Sequence, residues 1–548
     1  MSHIGRRSKA AILAALAVVL IAGLIPAFAQ QEPDSVITVD GGGWGHGVGM
    51  SQFGAYGRAS DGHTHEEILE FYYPGAELTS SDMPNIRVHI HSGRGTIVRP
   101  VDAPTGSAAD DIEIVDKNGN LIFNSLNGRR LTIDRVPGGF TITRANGQGG
   151  RNLCIDNEGN DRCRTGQLRV RFQQGSPTRV DVVDQISIGT TGKRYQWGEL
   201  VISRRPAAPQ ETMYVVLEGL TMDQYIYGLA EVPASWPTEV LKAQAVAGRT
   251  YGYDRAISRR ASSNWSYPWD LYSTIDDQVY HGYEKEDGEF GPVWTSAVDT
   301  SSGEVMLYDG DPITAFYSSS NGGWTEESGY VFVTSLPYLI AQRDTYDSFE
   351  NPFGSWTREY TGTELGRWMA ESPSIGPVGT VVDVKISGNI GESGRVDRAT
   401  VTVVGTNNTR TMSGNTFRIA VNSGVGRDGG GLSRQILSTL YTVTVFGGED
   451  PIGGLDIVRR KGNRATVRGW VFDPDSTNSV DVEIRVDGKV VATLPAADSR
   501  FDINAVYGEG ASRGFTAKID LADGVHQVCA YADNIGPGDA LLLGCQVA

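Results

Sequence analysis

The chain has 548 residues, of which 69 are glycine, and its formal net charge at pH 7 is −17. At roughly 100–200 residues per domain, this length allows about two to four domains. The acidic balance argues against nucleic acid as a partner, because binding to phosphates needs a basic face. A polysaccharide substrate stays open. The abundant glycine and a charged fraction of 21% are typical of a loop-rich, β-rich secreted protein.

The N-terminal segment has the features of a secretory signal peptide. A basic start is followed by an apolar run over residues 10–25 and by Ala-Phe-Ala at 27–29, which fits cleavage after small residues. We therefore predict a signal peptide over 1–29 and a secreted, extracellular mature protein. The apolar run is also long enough for an uncleaved membrane anchor, and a membrane is expected as a partner only in that case.

The residues after this segment predict a glycine-rich stretch and then a β-rich region. The stretch 38–80 should contain one helix, from about Thr64 to Tyr73, because Thr64 and Glu67 have the spacing of a capping box. Residues 85–220 alternate apolar and polar positions between glycine and asparagine turns. This alternation predicts β-strands.

The four cysteines lie in two local pairs. Cys154 and Cys163 bracket a polar loop, and Cys529 and Cys545 bracket the last predicted strands. In an exported protein such pairs predict disulfides. Zinc binding is the alternative, but no Cys-x-x-Cys motif or nearby His supports it.

The second half of the chain predicts a mixed core and then more strands. The core, 221–370, begins with helical patterns at 221–230 and 237–257. A closing β segment is predicted for 371–445 and a linker for 446–453.

The last stretch, 454–548, is a series of short strand patterns. It predicts a small β-sandwich closed by the Cys529–Cys545 pair. The predicted fold class is therefore α+β, with a β-rich domain that contains a few helices, followed by a small all-β sandwich.

Glu231 is the first candidate for chemistry. It lies in a turn restricted by Pro233 and Pro237, just before the Ala-rich predicted helix that carries Arg249. A carboxyl group held beside a rigid element suits proton transfer. Spacing alone favours a different arrangement, in which Glu231 is solvated or caps the helix and Arg249 is a structural ion-pair partner. Structural ion pairs also perturb pKa values, so a carboxyl group near an arginine is not by itself a sign of catalysis.

Two further segments have compositions suited to ligand binding. The stretch GWGHGVGMSQ contains His46, and its glycines permit close approach of the backbone to a ligand; His46 is either a proton carrier or a structural histidine in a tight loop. The stretch Ala315–Leu339 is dense in serine and aromatic residues, which suit sugars; the alternative is an ordinary polar loop. It has no Gly-x-Ser-x-Gly motif, so a serine hydrolase is poorly supported.

Four motifs together resemble the SpoIID/LytB family of peptidoglycan-acting proteins. They are YIYGLAEVPASWPTEVLKAQAVAGRTY, DLYSTIDDQVYHGY, ITAFYSSSNGGWTEE with LPYL, and GWGHGVGMSQFGAYGRA with EEILEFYYPG. The resemblance covers roughly residues 38–445, apart from the β-rich insert around the Cys154–Cys163 loop. It implies a cell-wall-associated lytic transglycosylase, which cuts glycan strands between N-acetylmuramic acid and N-acetylglucosamine.

The resemblance also implies site residues. Glu231 matches the catalytic acid of the family, and Arg249 matches an arginine in the following helix. The substrate-binding residues that we expect, with Arg249, are Tyr317, Ser318, Ser319, Ser320, His46, Gln52 and Gln278.

The implied mechanism needs a single carboxyl group. Glu231 would protonate the glycosidic oxygen, and its carboxylate would then take the proton of the muramic acid C6 hydroxyl as that group attacks C1. Glu231 must therefore start protonated, and we expect burial to raise its pKa. We expect Arg249 to bind substrate or to fix the loop without close contact to the resting acid.

This chain departs from the family pattern in one loop. Several relatives carry Cys and His in the segment that reads DLYSTIDDQVYHG here, and they bind zinc there. This chain has Tyr272, Ser273, Asp276 and Asp277 instead. We therefore expect no metal and no cofactor, and a loop held by other contacts. Asp276 or Asp277 as a second carboxylate is an alternative, although a solvated acidic loop is the more common arrangement.

The order of the motifs also differs. In relatives the GHGVGMSQ segment usually follows the rest of the domain, whereas here it precedes the other motifs. This resembles a circular permutation, which is tolerated if the original termini lie close together at the surface.

Three functional hypotheses follow from these motifs. The leading one is a secreted lytic transglycosylase acting on peptidoglycan glycan strands. The second is a non-catalytic, wall-binding enhancer of an N-acetylmuramoyl-L-alanine amidase, as the modifier branch of the family implies. The third is a surface adhesion or scaffold protein whose C-terminal sandwich is the active part; that sandwich resembles a module of secreted actinobacterial proteins, through RGWVFDPDS and VCAYADN.

Overall fold

The computed structural model describes most of the chain from residue 35 onward. The described ranges are 35–101, 112–125, 131–144, 152–155, 158–172, 179–183, 193–204, 212–446, 450–474, 476, 478–535 and 540–548. The predicted signal segment 1–29 lies outside these ranges. None of the helices within them is long and apolar enough to cross a bilayer.

The helices are short, with one exception near the centre of the chain. Within the described ranges they are α1 (Gln52–Ser60), α2 (His65–Tyr72), α3 (Met222–Tyr227), α4 (Thr238–Ala261), α5 (Tyr283–Glu286), α6 (Gly291–Thr300), α7 (Ser328–Val331), α8 (Gly362–Glu371), α9 (Gly414–Arg427) and α10 (Phe501–Tyr507).

Local sequence signals explain where several of these helices begin. The capping box of Thr64 and Glu67 starts α2, as predicted, and a second box of Thr221 and Gln224 starts α3. Helix α4 follows Pro237, whose missing N–H costs nothing in a first turn. It ends at Ala261 and not at residue 257, because arginines in its last turn bind buried carboxylates.

Strands dominate the first half of the chain, as the alternating pattern predicts. They are β1 (Val36–Gly41), β2 (Met50–Ser51), β3 (Glu77–Ser80), β4 (Ile86–Gly93), β5 (Gly95–Val101), β6 (Ile112–Asp116), β7 (Leu121–Ser125), β8 (Leu131–Val136), β9 (Gly139–Arg144), β10 (Gln167–Arg171), β11 (Arg179–Val183), β12 (Lys193–Tyr195), β13 (Glu199–Arg204) and β14 (Met213–Leu220).

Shorter strands alternate with the helices in the second half. They are β15 (Leu271–Tyr272), β16 (Glu304–Tyr308), β17 (Asp311–Pro312), β18 (Tyr317–Ser318), β19 (Trp324–Thr325), β20 (Gln342–Arg343), β21 (Trp356–Thr361), β22 (Val381–Ser387), β23 (Thr400–Gly405), β24 (Thr409–Ser413) and β25 (Tyr441–Phe446).

The C-terminal strands form two sheets that share one core. They are β26 (Ile452–Lys461), β27 (Arg464–Phe472), β28 (Asp481–Val486), β29 (Lys489–Pro495), β30 (Asp498–Ser499), β31 (Ser512–Asp520), β32 (Gln527–Ala532) and β33 (Leu541–Val547). Side chains of both sheets, such as Val467 and Ile484, belong to a single buried cluster. The two sheets form a sandwich that also contains helix α10, and its first strand begins at Ile452, within the stretch predicted as a linker.

The described strands of the β-rich region form two sheets. A seven-stranded sheet has the order β15-β4-β14-β13-β10-β6-β7, and a five-stranded sheet has the order β12-β11-β5-β8-β9. Cys154 and Cys163 are joined by a disulfide near these sheets, and Cys529 and Cys545 are joined between β32 and β33. Both predicted pairs are present. The observed class is α+β with strands dominant, as predicted.

The N-terminal segment packs into the middle of the fold. Strand β1 pairs with β25, so the two ends of the predicted 38–445 domain lie side by side. Strand β2 pairs in parallel with β18, which aligns Met50 with Tyr317. The glycine-rich segment therefore lies against the Ser-rich loop. A permuted chain order is compatible with this pairing and stays a prediction.

Helix α4 lies between two hydrophobic cores. Leu241 and Ala245 pack into the core of the seven-stranded sheet. Ala243 and Ala247 pack into a second core with α1 and α2. Small side chains on both faces allow this close packing, so α4 fixes the β-rich region and the N-terminal segment relative to the turn that contains Glu231.

Candidate functional site

Glu231 lies in the turn between α3 and α4, where it meets the segment that follows β15. The Ala230 amide donates to the Val279 carbonyl at 2.8 Å, and the Val279 amide donates to Glu231 Oε1 at 2.6 Å. The side chain is partly buried. Burial raises the pKa of Glu231 to about 6, against smaller lowering effects of the Val279 amide, the Tyr317 hydroxyl and the Lys285 charge. A raised pKa is the direction that general-acid chemistry needs.

Tyr317 and Gln278 join Glu231 in one hydrogen-bonded group. The Tyr317 hydroxyl donates to Gln278 Oε1 at 2.7 Å and is also a hydrogen-bonding partner of Glu231. Gln278 Nε2 donates to the Tyr225 hydroxyl at 2.9 Å. Burial and the Glu231 charge raise the pKa of Tyr317 well above its usual value, so it stays a neutral donor. The structure thus brings together three residues that the sequence places far apart.

Lys285, on α5, is a charged neighbour of Glu231 that the sequence did not indicate. Its Nζ donates to the Val232 carbonyl at 2.5 Å and lies 4.8 Å from the centre of the Trp294 ring. Burial lowers the pKa of Lys285 to about 8, while the Glu231 charge opposes that shift. Lys285 lies 54 positions along the chain from the acid, in no pattern that predicts this contact.

His46 lies behind Tyr317. The Val48 amide donates to its Nδ1 at 3.0 Å, and its ring packs edge-on against Phe316 and Phe332. Burial and the charge of Arg395 lower the pKa of His46 to about 4, against a hydrogen bond to the Tyr317 backbone. The imidazole is therefore neutral near pH 7. A buried, neutral imidazole bonded to the backbone suits a structural role that fixes the position of Tyr317, and it does not suit proton transfer.

The serines of the expected substrate-binding loop have different positions. Ser318 accepts a hydrogen bond from the Gly47 amide at 3.3 Å, and the buried Ser320 donates to Asp347 Oδ2 at 2.8 Å. Ser319 is partly exposed, and its carbonyl accepts from the Phe53 amide at 3.0 Å. The structure therefore gives Ser318 and Ser320 a role in loop shape, and Asp347 is a loop-fixing residue that the sequence analysis missed.

Gln52 is buried, and its described side-chain hydrogen bond is to helix α4 and not to Glu231. Its Nε2 donates to Gln244 Oε1 at 3.1 Å, and both side chains are buried between α1 and α4. The glycine-rich segment pairs with the Tyr317 strand through Met50, whereas the side chain of Gln52 binds to Gln244 on α4.

The expected role of Arg249 is either to bind substrate or to fix the loop without close contact to the resting acid, and its described partners are structural. Its side chain is 0% exposed and forms an ion pair with Asp223 at 2.9 Å. It also donates to the Glu304 carbonyl at 3.1 Å. Among the described contacts of Arg249 there is none to Glu231. The structure therefore shows a structural ion pair that ties α4 to α3 and β16, which is the alternative that spacing alone favoured.

The acidic loop after β15 is held by Asp277. The Asp277 carboxylate is buried and accepts from Arg259 Nη1 at 2.6 Å, from the Tyr272 amide at 2.8 Å and from the Tyr251 hydroxyl at 3.1 Å. Asp276 is exposed and accepts only a local bond from Thr274. These contacts fix the segment that offers the Val279 amide to Glu231.

Possible metal ligands cluster away from this loop. Two groups in the described ranges have side chains close enough to hold a metal ion. One is Asp161 with the disulfide-bonded Cys154 and Cys163, and the other is His65 with Glu66 and Glu239. His65 Nδ1 lies 2.9 Å from Glu239 and Nε2 lies 3.1 Å from Glu304. Both ring nitrogens thus have carboxylate partners already.

Comparison with known proteins shows a family similarity in the region that contains Glu231. Residues 210–308 match the model of the SpoIID family, described as stage II sporulation protein. The match contains Glu231, Arg249 and Gln278. This region of the chain is therefore similar to the SpoIID family. Tyr317 and His46 lie outside the match, and the fold places them beside it.

Individual relatives match over limited parts. The chain is 41% identical over 139 residues to an amidase enhancer of Bacillus subtilis, covering 25% of this chain and 16% of that protein. It is 27% identical over 179 residues to stage II sporulation protein D of the same organism, covering 30% and 50%. An uncharacterised protein of Brachyspira hyodysenteriae is 33% identical over 195 residues, covering 33% and 50%. The chain thus spans half or less of these relatives. No solved structure matches it significantly.

Proposed function

We propose that this protein is secreted, acts on cell-wall peptidoglycan and cleaves its glycan strands as a lytic transglycosylase, with Glu231 as the single acid and base. The observation that carries this proposal is the environment of Glu231, which is partly buried, has its pKa raised to about 6 and adjoins Tyr317 and Gln278. A carboxyl group with a raised pKa is protonated in a useful fraction of molecules near neutral pH.

In the first half of the proposed reaction, Glu231 gives its proton to the oxygen between N-acetylmuramic acid and N-acetylglucosamine. The bond from that oxygen to C1 breaks as C1 gains oxocarbenium character. In the second half, the Glu231 carboxylate takes the proton of the C6 hydroxyl, whose oxygen bonds to C1. The products are a 1,6-anhydro end and a new C4 hydroxyl, and Glu231 is protonated again.

Tyr317 and Gln278 support both protonation states of the acid. A protonated Glu231 can donate to the Tyr317 oxygen while the Tyr317 hydroxyl donates to Gln278 Oε1, which lies 2.7 Å away. After proton transfer, the Tyr317 hydroxyl can turn its proton to the new carboxylate. The Val279 amide stabilises the carboxylate in the same step.

A second candidate function is enhancement of a cell-wall amidase. The observation that favours it is the 41% identity to the amidase enhancer of Bacillus subtilis. In this case the glycan would be bound and not cut, and the partner would be an N-acetylmuramoyl-L-alanine amidase.

One digestion experiment separates the two functions. Purified glycan strands, with and without stem peptides, are incubated with wild type, Glu231→Gln or Asp276→Asn, and the products are identified by mass spectrometry. Asp276→Asn is the matched control, because Asp276 is an exposed carboxylate in the neighbouring loop. We expect anhydro-muramic ends from wild type and the control and none from Glu231→Gln. If wild type forms no anhydro-muramic ends on strands with or without stem peptides, the transglycosylase proposal is wrong. The second candidate is then tested by adding an amidase and measuring whether the protein raises its activity.

A further inference from the structure

A cavity is lined by Arg259, the residue that binds Asp277 of the acidic loop. Its volume is about 590 Å³, its walls include Arg87, Glu218, Arg259, Arg260, Trp265 and Tyr267, and we call it the Trp265 groove. None of these residues belongs to the Glu231 site. We infer that the Trp265 groove binds uncharged N-acetylated sugar units; the choice of sugar rests on the proposed function.

The aromatic side of the groove is rigid. Trp269 is buried, and Tyr267 stacks on it with ring centres 4.6 Å apart. The Trp265 indole donates to the Trp269 carbonyl at 2.7 Å. Trp265 and Tyr267 stay partly exposed on this support. The Arg259 guanidinium lies 4.2 Å from the centre of the Trp265 ring and covers part of it. The parts of these fixed rings that stay exposed can pack against the C–H groups of a sugar ring with little loss of side-chain entropy.

The polar side of the groove offers fixed hydrogen-bond donors. Arg87 and Arg260 both hold the buried Asp270 carboxylate, through Nε and Nη2 of each guanidinium. No described residue accepts a hydrogen bond from Nη1 of either arginine. The guanidinium groups of Arg87 and Arg260 line the same cavity as Glu218, so donors and an acceptor stand together for the hydroxyl and amide groups of a sugar.

The charges of the groove favour a neutral ligand over an anion. Asp270 neutralises part of the charge of Arg87 and Arg260, and Asp277 pairs with Arg259 at 2.6 Å. Glu218 lies in the same wall. A phosphate or carboxylate ligand would have to compete with these acids, whereas an uncharged polyol would not.

The Trp265 groove is linked to the proposed acid through the loop. Arg259 lines the groove and bonds to Asp277, and two positions further on the Val279 amide bonds to Glu231. A sugar bound in the groove would therefore restrain the loop that sets the environment of Glu231. This gives the glycan strand a contact away from the bond that is cut.

The test uses the full chain with Glu231→Gln, which keeps the ligand intact. The N-acetylglucosamine tetramer is titrated by calorimetry, and hydrogen–deuterium exchange locates the peptides that it protects. Trp265→Ala is added in the same background. Tyr507→Ala is the matched control, because Tyr507 is a 45% exposed aromatic residue in the C-terminal sandwich. Circular dichroism verifies that each variant is folded.

We expect protection of the peptides over 259–272, an approximately tenfold loss of affinity for that site with Trp265→Ala and no change with Tyr507→Ala. If only the peptides that contain Glu231 and Tyr317 are protected, the proposal that the Trp265 groove binds sugar is wrong, whereas the proposed function is unaffected. Protection at the groove without cleavage by wild type would support the groove and count against the transglycosylase. Absence of protection at every peptide would overturn the groove, and the digestion experiment would still decide the function independently.

Discussion

The Val279 amide donates a hydrogen bond of 2.6 Å to Glu231 Oε1. The environment of the proposed acid is therefore set partly by the loop after β15 and not only by the turn before α4. Through Asp277 and Arg259, this loop is in turn fixed to the last turns of α4. Acid, loop and helix form one connected unit, so changes in the loop should alter the chemistry at Glu231.

Replacement of Lys285 should shift the pH dependence of cleavage. The proposed acid must be protonated, so kcat/KM of wild type should fall as the pH rises through about 6. The Lys285 charge lowers the pKa of Glu231, so Lys285→Met should move this fall to higher pH. Lys285→Arg, which keeps the charge, should leave the profile near that of wild type, as should Lys385→Met at an exposed site. A shift to lower pH with Lys285→Met would contradict the assignment.

Replacement of Glu231 should stabilise the protein at neutral pH. The folded-state pKa, about 6, lies above the ordinary value of 4.5. As the pH rises through this window, the unfolded chain loses its proton first, so stability falls with pH and the cost persists above about 6. Glu231→Gln should therefore raise the free energy of unfolding by about 1–2 kcal/mol at pH 7.5 and by little at pH 4. Urea titrations at both pH values measure this difference, with Asp276→Asn as the control. An equal gain at both pH values would mean that titration is not the cause.

The sequence could predict features that depend on local patterns. The capping box at Thr64 and the Ala-rich pattern after Pro237 gave α2 and α4 with errors of a few residues, because such signals act within one or two turns. It could also predict Glu231 as a candidate, since the motif around it is continuous. It could not predict that Val279 offers its backbone amide there, because every residue carries that group and only the fold selects one.

Residues of the site that depend on distant contacts were harder to assign. Helical spacing places Arg249 on a stripe of α4, but it does not say which neighbour covers that stripe. The structure covers it with α3 and β16, which bury the guanidinium against Asp223. Lys285 and Asp347 stand in no motif, and their roles follow from contacts between elements far apart in the chain.

The buried ion pair of Arg249 predicts a loss of stability when the arginine is removed. Arg249→Met removes the cation paired with Asp223, which is 27% exposed and keeps its bond from Ser302, and the donor to the Glu304 carbonyl; it should lower the free energy of unfolding by about 2 kcal/mol. Arg367→Met is the control, since that ion pair is at the surface with the arginine side chain 44% exposed, and its loss should cost under about 1 kcal/mol. Denaturation in urea measures both. A stable Arg249→Met variant with only a raised KM would instead restore the expected role in substrate binding.

Asp277 and Asp276 form a matched pair for testing the loop. Asp277→Ala removes the acceptor of Arg259, Tyr272 and Tyr251, and the unpaired buried donors should lower the free energy of unfolding by about 2–3 kcal/mol. Asp276→Ala alters only an exposed local bond, so its effect should stay within about 0.5 kcal/mol.

The same pair connects loop order to the acid. With Asp277→Ala, hydrogen–deuterium exchange at the Val279 amide should become faster, and glycan cleavage should fall, because the hydrogen bond to Glu231 depends on a fixed loop. Both quantities should be unchanged with Asp276→Ala. If Asp277→Ala keeps slow exchange at Val279 while it loses stability, the loop must be held by contacts other than those of Asp277, and the connection between α4 and the acid fails.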